Sequence, residues 1–173
     1  VESIVKGMEE NGVSATLKHF PGHESTTLNS HDGTSESTRT FEEIKETEFL
    51  PFKAALGADF VMVSHMTLVN ATKEKVPCSV SKEVITDWLK GELGYKGIII
   101  TDAFNMGAIT DKYSVGEAAV KAVNAGVDMI LMTPDVETAH AAVVNAVKSG
   151  EIPKERIEES VRKILTLKVQ KGM

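Results

Sequence analysis

The 173-residue sequence predicts an α/β fold, a parallel sheet of about four βα units, and three observations carry that reading. Four short runs, 15–20, 60–65, 98–102 and 128–132, are almost continuously apolar, as strands covered on both faces must be. The segments between them repeat their apolar residues at helical spacing. Those segments also carry helix start and stop signals, so strand and helix alternate along the chain.

The opening helix, Val1 to Asn11, sets Val1, Ile4, Val5 and Met8 on one stripe and stops at Gly12. Ala15 to Phe20 is the first strand, ended by Pro21-Gly22, and a polar loop rich in Ser, Thr and Gly runs on to Arg39. Loops of that length inside a compact domain are usually functional or disordered. Thr40 and Glu43 form a capping box, and the helix they start passes Ile44, Phe49 and Ala54 with Pro51 kinking or splitting it. Phe60 to His65 is the second strand. Beyond a polar loop, Ser81 caps a helix carrying Val84, Ile85, Trp88, Leu89 and Leu93, closed by Gly94. Ile98 to Asp102 is the third strand. Ser114 and Glu117 cap a helix that ends at Gly126, and Asp128 to Met132 is the fourth strand. Two helices finish the chain, Val136 to Lys148 and Pro153 to about Gln170, the second with Ile157, Val161, Ile164, Leu165 and Val169 on one face.

Composition narrows the function. A net charge of −6, from 25 acidic and 19 basic residues scattered along the chain, speaks against a nucleic-acid surface. The single cysteine, Cys78, excludes an intrachain disulfide and lies in no zinc-ligand spacing. No apolar run approaches the roughly 18 residues of a membrane helix, and no signal-peptide pattern opens the chain, so the expectation is a cytoplasmic protein without a membrane partner. Val1 falls inside a helical pattern, which reads as a chain whose original N-terminus is missing. Neither a GxGxxG turn nor a GxxxxGK[ST] loop is present, so no nucleotide cofactor is indicated. Four βα units fit either a small open sheet or half of an eightfold barrel, which needs about 250 residues when complete.

In parallel α/β architectures ligands lie at the carboxyl ends of the strands, and those ends carry Lys18-His19, His65, Asp102 and Thr133-Pro134. Asp102 closes the most apolar strand, where a carboxylate is solvated, paired or catalytic. His19 and His65 either orient a substrate or are satisfied rim histidines, and Lys18 either binds ligand oxygens or is a bonded neighbour. His31 stands in the polar loop beside Asn29, Ser30 and Asp32, a surface histidine or a proton shuttle. Lys18, His19, His31, His65 and Asp102 together fit a nucleophilic carboxylate served by a histidine. They also fit a metal site in residue type, but no HExxH or comparable close spacing is present, and catalysis without metal is the reading taken.

The stretches Lys18-His19-Phe20-Pro21-Gly22-His23, Ser30-His31 and Ile100-Thr101-Asp102-Ala103-Phe104-Asn105-Met106-Gly107-Ala108-Ile109 resemble glycoside hydrolase family 3, the β-N-acetylglucosaminidases of the NagZ type. Val61 to His65 and Ala125 to Met132 fall where that family's later barrel strands lie, and the similarity runs from about Val13 to Leu167. The resemblance implies that residues 1–173 are a partial N-terminal barrel domain, strands five to eight of a (β/α)8 TIM-type barrel. It further implies a retaining glycoside hydrolase acting on β-linked N-acetylglucosamine of cell-wall type, in peptidoglycan recycling, with no metal or cofactor. In that family the residue matching Asp102 is the nucleophile and the one matching His31 the general acid/base, while Lys18 and His19 match residues that hold the sugar. His65 and Met106 complete the expected substrate-binding set. Two positions depart from the family pattern. Glu24 stands where a glycine is usual, and Asn29 replaces the aspartate that pairs with the catalytic histidine. An amide orients imidazole but does not stabilise its cation, so impaired acid/base catalysis is expected unless Asp32 or Glu24 serves instead. A half-barrel also predicts self-association or a need for the missing half. Two other classes remain alongside hydrolysis: a β-N-acetylglucosaminide phosphorylase and a non-catalytic binding remnant. An open nucleotide- or phosphate-binding domain of the response-regulator type would need an acidic cluster at the first strand end, where this chain has Lys18-His19.

Overall fold

The computed structural model describes residues 1–23 and 35–172. In chain order the elements are α1 (Glu2–Glu10), β1 (Thr16–Phe20), β2 (Glu36–Ser37), α2 (Phe41–Glu46), α3 (Phe49–Lys53), β3 (Phe60–Val63), β4 (Thr67–Leu68), a 3-10 turn (Cys78–Val80), a π-helix (Glu83–Glu92), β5 (Ile98–Ala103), α4 (Gly107–Thr110), α5 (Val115–Ala125), β6 (Met129–Leu131), α6 (Val136–Ser149) and α7 (Lys154–Gln170). The main sheet is parallel throughout in the order β1-β3-β5-β6, so each strand lies beside its successor among the four expected runs. That is the arrangement of part of a (β/α)8 barrel. Among the described residues no helix is long and apolar enough to cross a membrane.

Local signals act where they stand. Both capping boxes form, Thr40 with Glu43 and Ser114 with Glu117, and Gly126 ends α5 in the left-handed region at φ 112°. The Ser81 hydroxyl accepts from the Val84 amide, as a cap should. The helix beyond it is π rather than α, with the Leu93 amide bonded to the Trp88 carbonyl, yet Val84, Ile85, Trp88 and Leu89 are buried as their spacing requires. Pro51 splits its helix into α2 and α3, because it lacks the N–H that would reach the Thr47 carbonyl across the break. The two-residue pair β2–β4 and the single turn α4 are too short to leave a periodic pattern, and the sequence reading has them as loop.

Helices and the 3-10 turn cover one face of the sheet. Leu17, Val61 and Ile99, in register on that face, are buried, and beneath them Phe20, Phe41, Phe49, Phe52 and Trp88 form an aromatic cluster with Phe41 and Trp88 ring centroids 4.6 Å apart. The opposite row, Met62, Ile100 and Met129, is left partly open to solvent.

The final helix packs differently from its pattern. Its apolar positions Val161, Leu165 and Val169 are exposed at 46%, 56% and 76%, while its basic residues grip the amino-terminal edge of the sheet. Arg156 donates to the Val127 carbonyl at 2.6 Å, Lys163 to the Gly97 carbonyl at 3.2 Å, and Lys171 pairs with Asp59 at 3.0 Å and with Glu9. α7 therefore runs as a bar beneath β6, β5 and β3. The physical reason is that strand ends offer carbonyls and carboxylates, which long cations satisfy better than Val or Leu.

Gly97 sits where no side chain fits. A Cβ there would lie 2.3 Å from the Tyr95 hydroxyl oxygen and 2.8 Å from the Asp59 carbonyl oxygen. Gly97→Ala is expected to cost about 2 kcal/mol by overpacking, read as a thermal midpoint lower by roughly 4–8 °C; an unchanged midpoint would show that the Tyr95 ring gives way.

Candidate active site

The site is assembled on the carboxyl ends of β1, β3 and β5. In β1 the buried Leu17 and Phe20 anchor the strand to the core, so Lys18 stands exposed and His19 half-buried at its end. In β5 the same alternation leaves Asp102 half-buried after the fully buried Thr101. The two strand ends meet: His19 Nε2 lies 3.6 Å from Asp102 Oδ2. The other carboxylate oxygen, Oδ1, accepts a 2.8 Å hydrogen bond from the Ala103 amide. One oxygen of Asp102 is thus fixed to its own backbone while the other faces an imidazole across an accessible gap. His23 adds a second ring edge-on to His19 at 5.2 Å.

A cavity of about 620 Å³ opens beside the β1 end, lined by Lys18, His19, Gly22, His23, Arg39 and Glu48 among others. Arg39 is held by Thr47 at 2.8 Å and faces Glu48 at 3.6 Å. Such a wall offers both donors and acceptors to a polyhydroxylated ligand.

His65 corrects the expectation of a substrate ligand. It is 3% exposed and both ring nitrogens are engaged within the protein, Nδ1 with the Ser79 hydroxyl at 2.7 Å and Nε2 with the Ala103 carbonyl at 3.0 Å. A carbonyl only accepts, so Nε2 carries the proton and Nδ1 accepts from Ser79. Burial pulls the His65 pKa below its ordinary value, against the opposing pull of the Ala103 carbonyl and the Asp102 charge, so the ring is neutral near pH 7. No ring nitrogen is left for a sugar. Met106 is half-buried at the start of α4, where its amide donates to the Ala103 carbonyl at 3.1 Å and its own carbonyl accepts from Ile109 and Thr110.

The structure brings Lys18, His19, Asp102 and Met106 to one rim. The catalytic assignments to His31 and Asn29, and the substitute partners Glu24 and Asp32, lie outside the described residues. Sequence reasoning missed Ser79, Arg39 and Glu48. Ser79 stands in a stretch that reads as loop, and nothing in its spacing points 14 residues back to His65.

Parallel βα units in sequence order, with a carboxylate and imidazoles gathered at the carboxyl rim, are the arrangement of part of a (β/α)8-type domain with its site where such domains carry it. The chain belongs to glycosyl hydrolase family 3: the profile of the "Glycosyl hydrolase family 3 N terminal domain" matches residues 1–167. It is 30% identical to the beta-hexosaminidase A of Pseudoalteromonas piscicida over 96% of this chain and 31% of that protein. The structure of a glycoside hydrolase family 3 beta-N-acetylglucosaminidase from Paenibacillus sp. superposes with a TM-score of 0.92 at 40% identity, over 97% of this chain and 33% of that one. The beta-glucoside phosphorylase BglX superposes with a TM-score of 0.91 at 27% identity, over 99% and 33%. The chain thus spans about a third of the length of these relatives.

Proposed function

We propose that this chain is the part of a retaining glycoside hydrolase that carries the nucleophile, strands five to eight of its barrel, acting on β-linked N-acetylglucosamine with cell-wall glycosides as the substrate class. The remaining strands come from the rest of the polypeptide or from association with a second chain. The observation that carries the reading is Asp102, with Oδ1 fixed by the Ala103 amide and Oδ2 facing His19 at the carboxyl rim. In the first step a carboxylate oxygen of Asp102 forms a bond to the anomeric carbon as the glycosidic C–O bond breaks, and an acid protonates the departing oxygen. Water, deprotonated by the same group, then displaces Asp102. His31 is the residue proposed for that proton, on the family resemblance alone, with Asn29 as its weakened partner. Lys18, His19 and Met106 hold the sugar.

A phosphorylase is the second reading, favoured by the likeness to BglX and by the Lys18 and Arg39 side chains in the cavity wall. The two differ in what attacks the covalent intermediate. The test is the full protein with a chromogenic β-N-acetylglucosaminide, with and without phosphate. Free N-acetylglucosamine at a phosphate-independent rate is expected; accumulation of the sugar 1-phosphate would replace hydrolysis by phosphorolysis, and no release of chromophore under either condition would overturn both.

A further inference from the structure

The mechanism above leaves His65 and Ser79 without a part, although both are buried polar residues and His65 bonds the residue that follows the reacting carboxylate. Their bonds form one continuous path. β3 lies between β1 and β5, and the two residues after it reach to both sides. The Ser64 amide donates to the Phe20 carbonyl at 3.0 Å, one residue from His19. The His65 Nε2–H donates to the Ala103 carbonyl at 3.0 Å, one residue from Asp102. The 3-10 turn braces this bridge twice, the Ser79 amide bonding the Ser64 carbonyl at 3.0 Å and the Ser79 hydroxyl bonding His65 Nδ1 at 2.7 Å. The backbone of Ala103 is held on both sides, its carbonyl, in the peptide to Phe104, by His65 and Met106, and its amide, in the peptide from Asp102, on Asp102 Oδ1.

The geometry points to His65, braced by Ser79, as a positioning residue that sets the place and orientation of the Asp102 carboxylate relative to the β1 end. The inference rests on Asp102 being the nucleophile. His65 does not line the cavity and both its ring nitrogens are taken, so it acts through the backbone of Ala103. Misplacing a reacting group by about 1 Å costs about 10²-fold in rate, and this sets the scale of the effect.

The experiment compares His65→Leu, His65→Gln and Asp102→Asn in the full protein. His65→Leu removes the donor at similar volume, and His65→Gln restores an N–H near the Nε2 position. His65→Leu is expected to lower kcat by about 10- to 100-fold with KM within about threefold, and His65→Gln to recover most of the loss. Covalent labelling of Asp102 by an activated fluoroglycoside, in which the carboxylate displaces the activated leaving group, separates positioning from misfolding. The labelling rate constant falls with positioning, whereas the extent of labelling falls with loss of folded sites. A raised KM with unchanged kcat would make His65 a sugar ligand and overturn the inference. So would wild-type kcat in His65→Leu, or a lowered extent of labelling at an unchanged rate constant in both variants. Should Asp102→Asn keep wild-type turnover, the nucleophile assignment fails instead, whatever the His65 variants do.

Discussion

Asp102→Asn is expected to lower kcat/KM on the order of 10⁴-fold, the scale on which loss of a covalent nucleophile acts, while the thermal midpoint stays within a few degrees. The amide keeps the shape of the side chain and one acceptor for the Ala103 amide, but it does not form the glycosyl ester. Asp102→Ala sharpens the result. It opens a space at the same place, and added azide should enter there, attack the anomeric carbon and restore departure of an activated leaving group, the sugar becoming a glycosyl azide of inverted configuration. Turnover by Asp102→Asn within tenfold of the parent, or azide without effect on Asp102→Ala, would remove Asp102 from the nucleophile's role.

Asp128→Ala is expected to be the most damaging change to stability, at about 3–5 kcal/mol, with activity per folded molecule preserved. The Asp128 side chain is fully buried at the amino-terminal edge of the sheet, opposite the active rim. Its oxygens accept from Ser160 at 2.6 Å, the Ile99 amide at 3.0 Å, Lys163 at 3.1 Å and Arg156 at 3.3 Å. Removing it takes the buried carboxylate away from two largely buried cations, a hydroxyl and the Ile99 amide, which is why the cost exceeds that of a surface ion pair. Burial alone would raise the Asp128 pKa, but the Ser160 hydroxyl, the Ile99 amide and the Lys163 charge together outweigh it and leave the carboxyl below its usual value. A carboxyl with a depressed folded pKa contributes stability that is complete above the unfolded value, about 3.9, and is lost as pH falls through the folded one. The gap in thermal midpoint between wild type and Asp128→Asn should therefore be constant near neutrality and shrink below about pH 4. A gap that does not change with pH would mean that shape and hydrogen bonding, not charge, hold α7 in place.

Several features were legible from the sequence because their causes are local. Thr40 with Glu43 and Ser114 with Glu117 are capping boxes whose partners lie three residues apart, and both form. The four apolar runs became the four parallel strands, since a strand buried on the helix face tolerates few polar residues. The convergence of Lys18, His19 and Asp102 on one rim followed from strand direction alone, because parallel strands all end on the same side.

Other features were set at a distance. The face that α7 turns to the sheet is chosen by Gly97, Val127 and Asp59, residues 66, 29 and 112 positions away from the side chains that bind them. Its apolar stripe alone pointed to the opposite face. In the sequence His65 either orients a substrate or is a satisfied rim histidine, and Ser79 and Ala103, 14 and 38 residues off, decide for the second by occupying its two nitrogens. By itself the sequence determined which elements form, their order and which residues reach the rim, since these depend on neighbours within a few positions. Only the tertiary structure decided which of those residues face a substrate and which hold the others in place, because a hydrogen bond is assigned by the partner that arrives, and the partners here arrive from separate strands and turns.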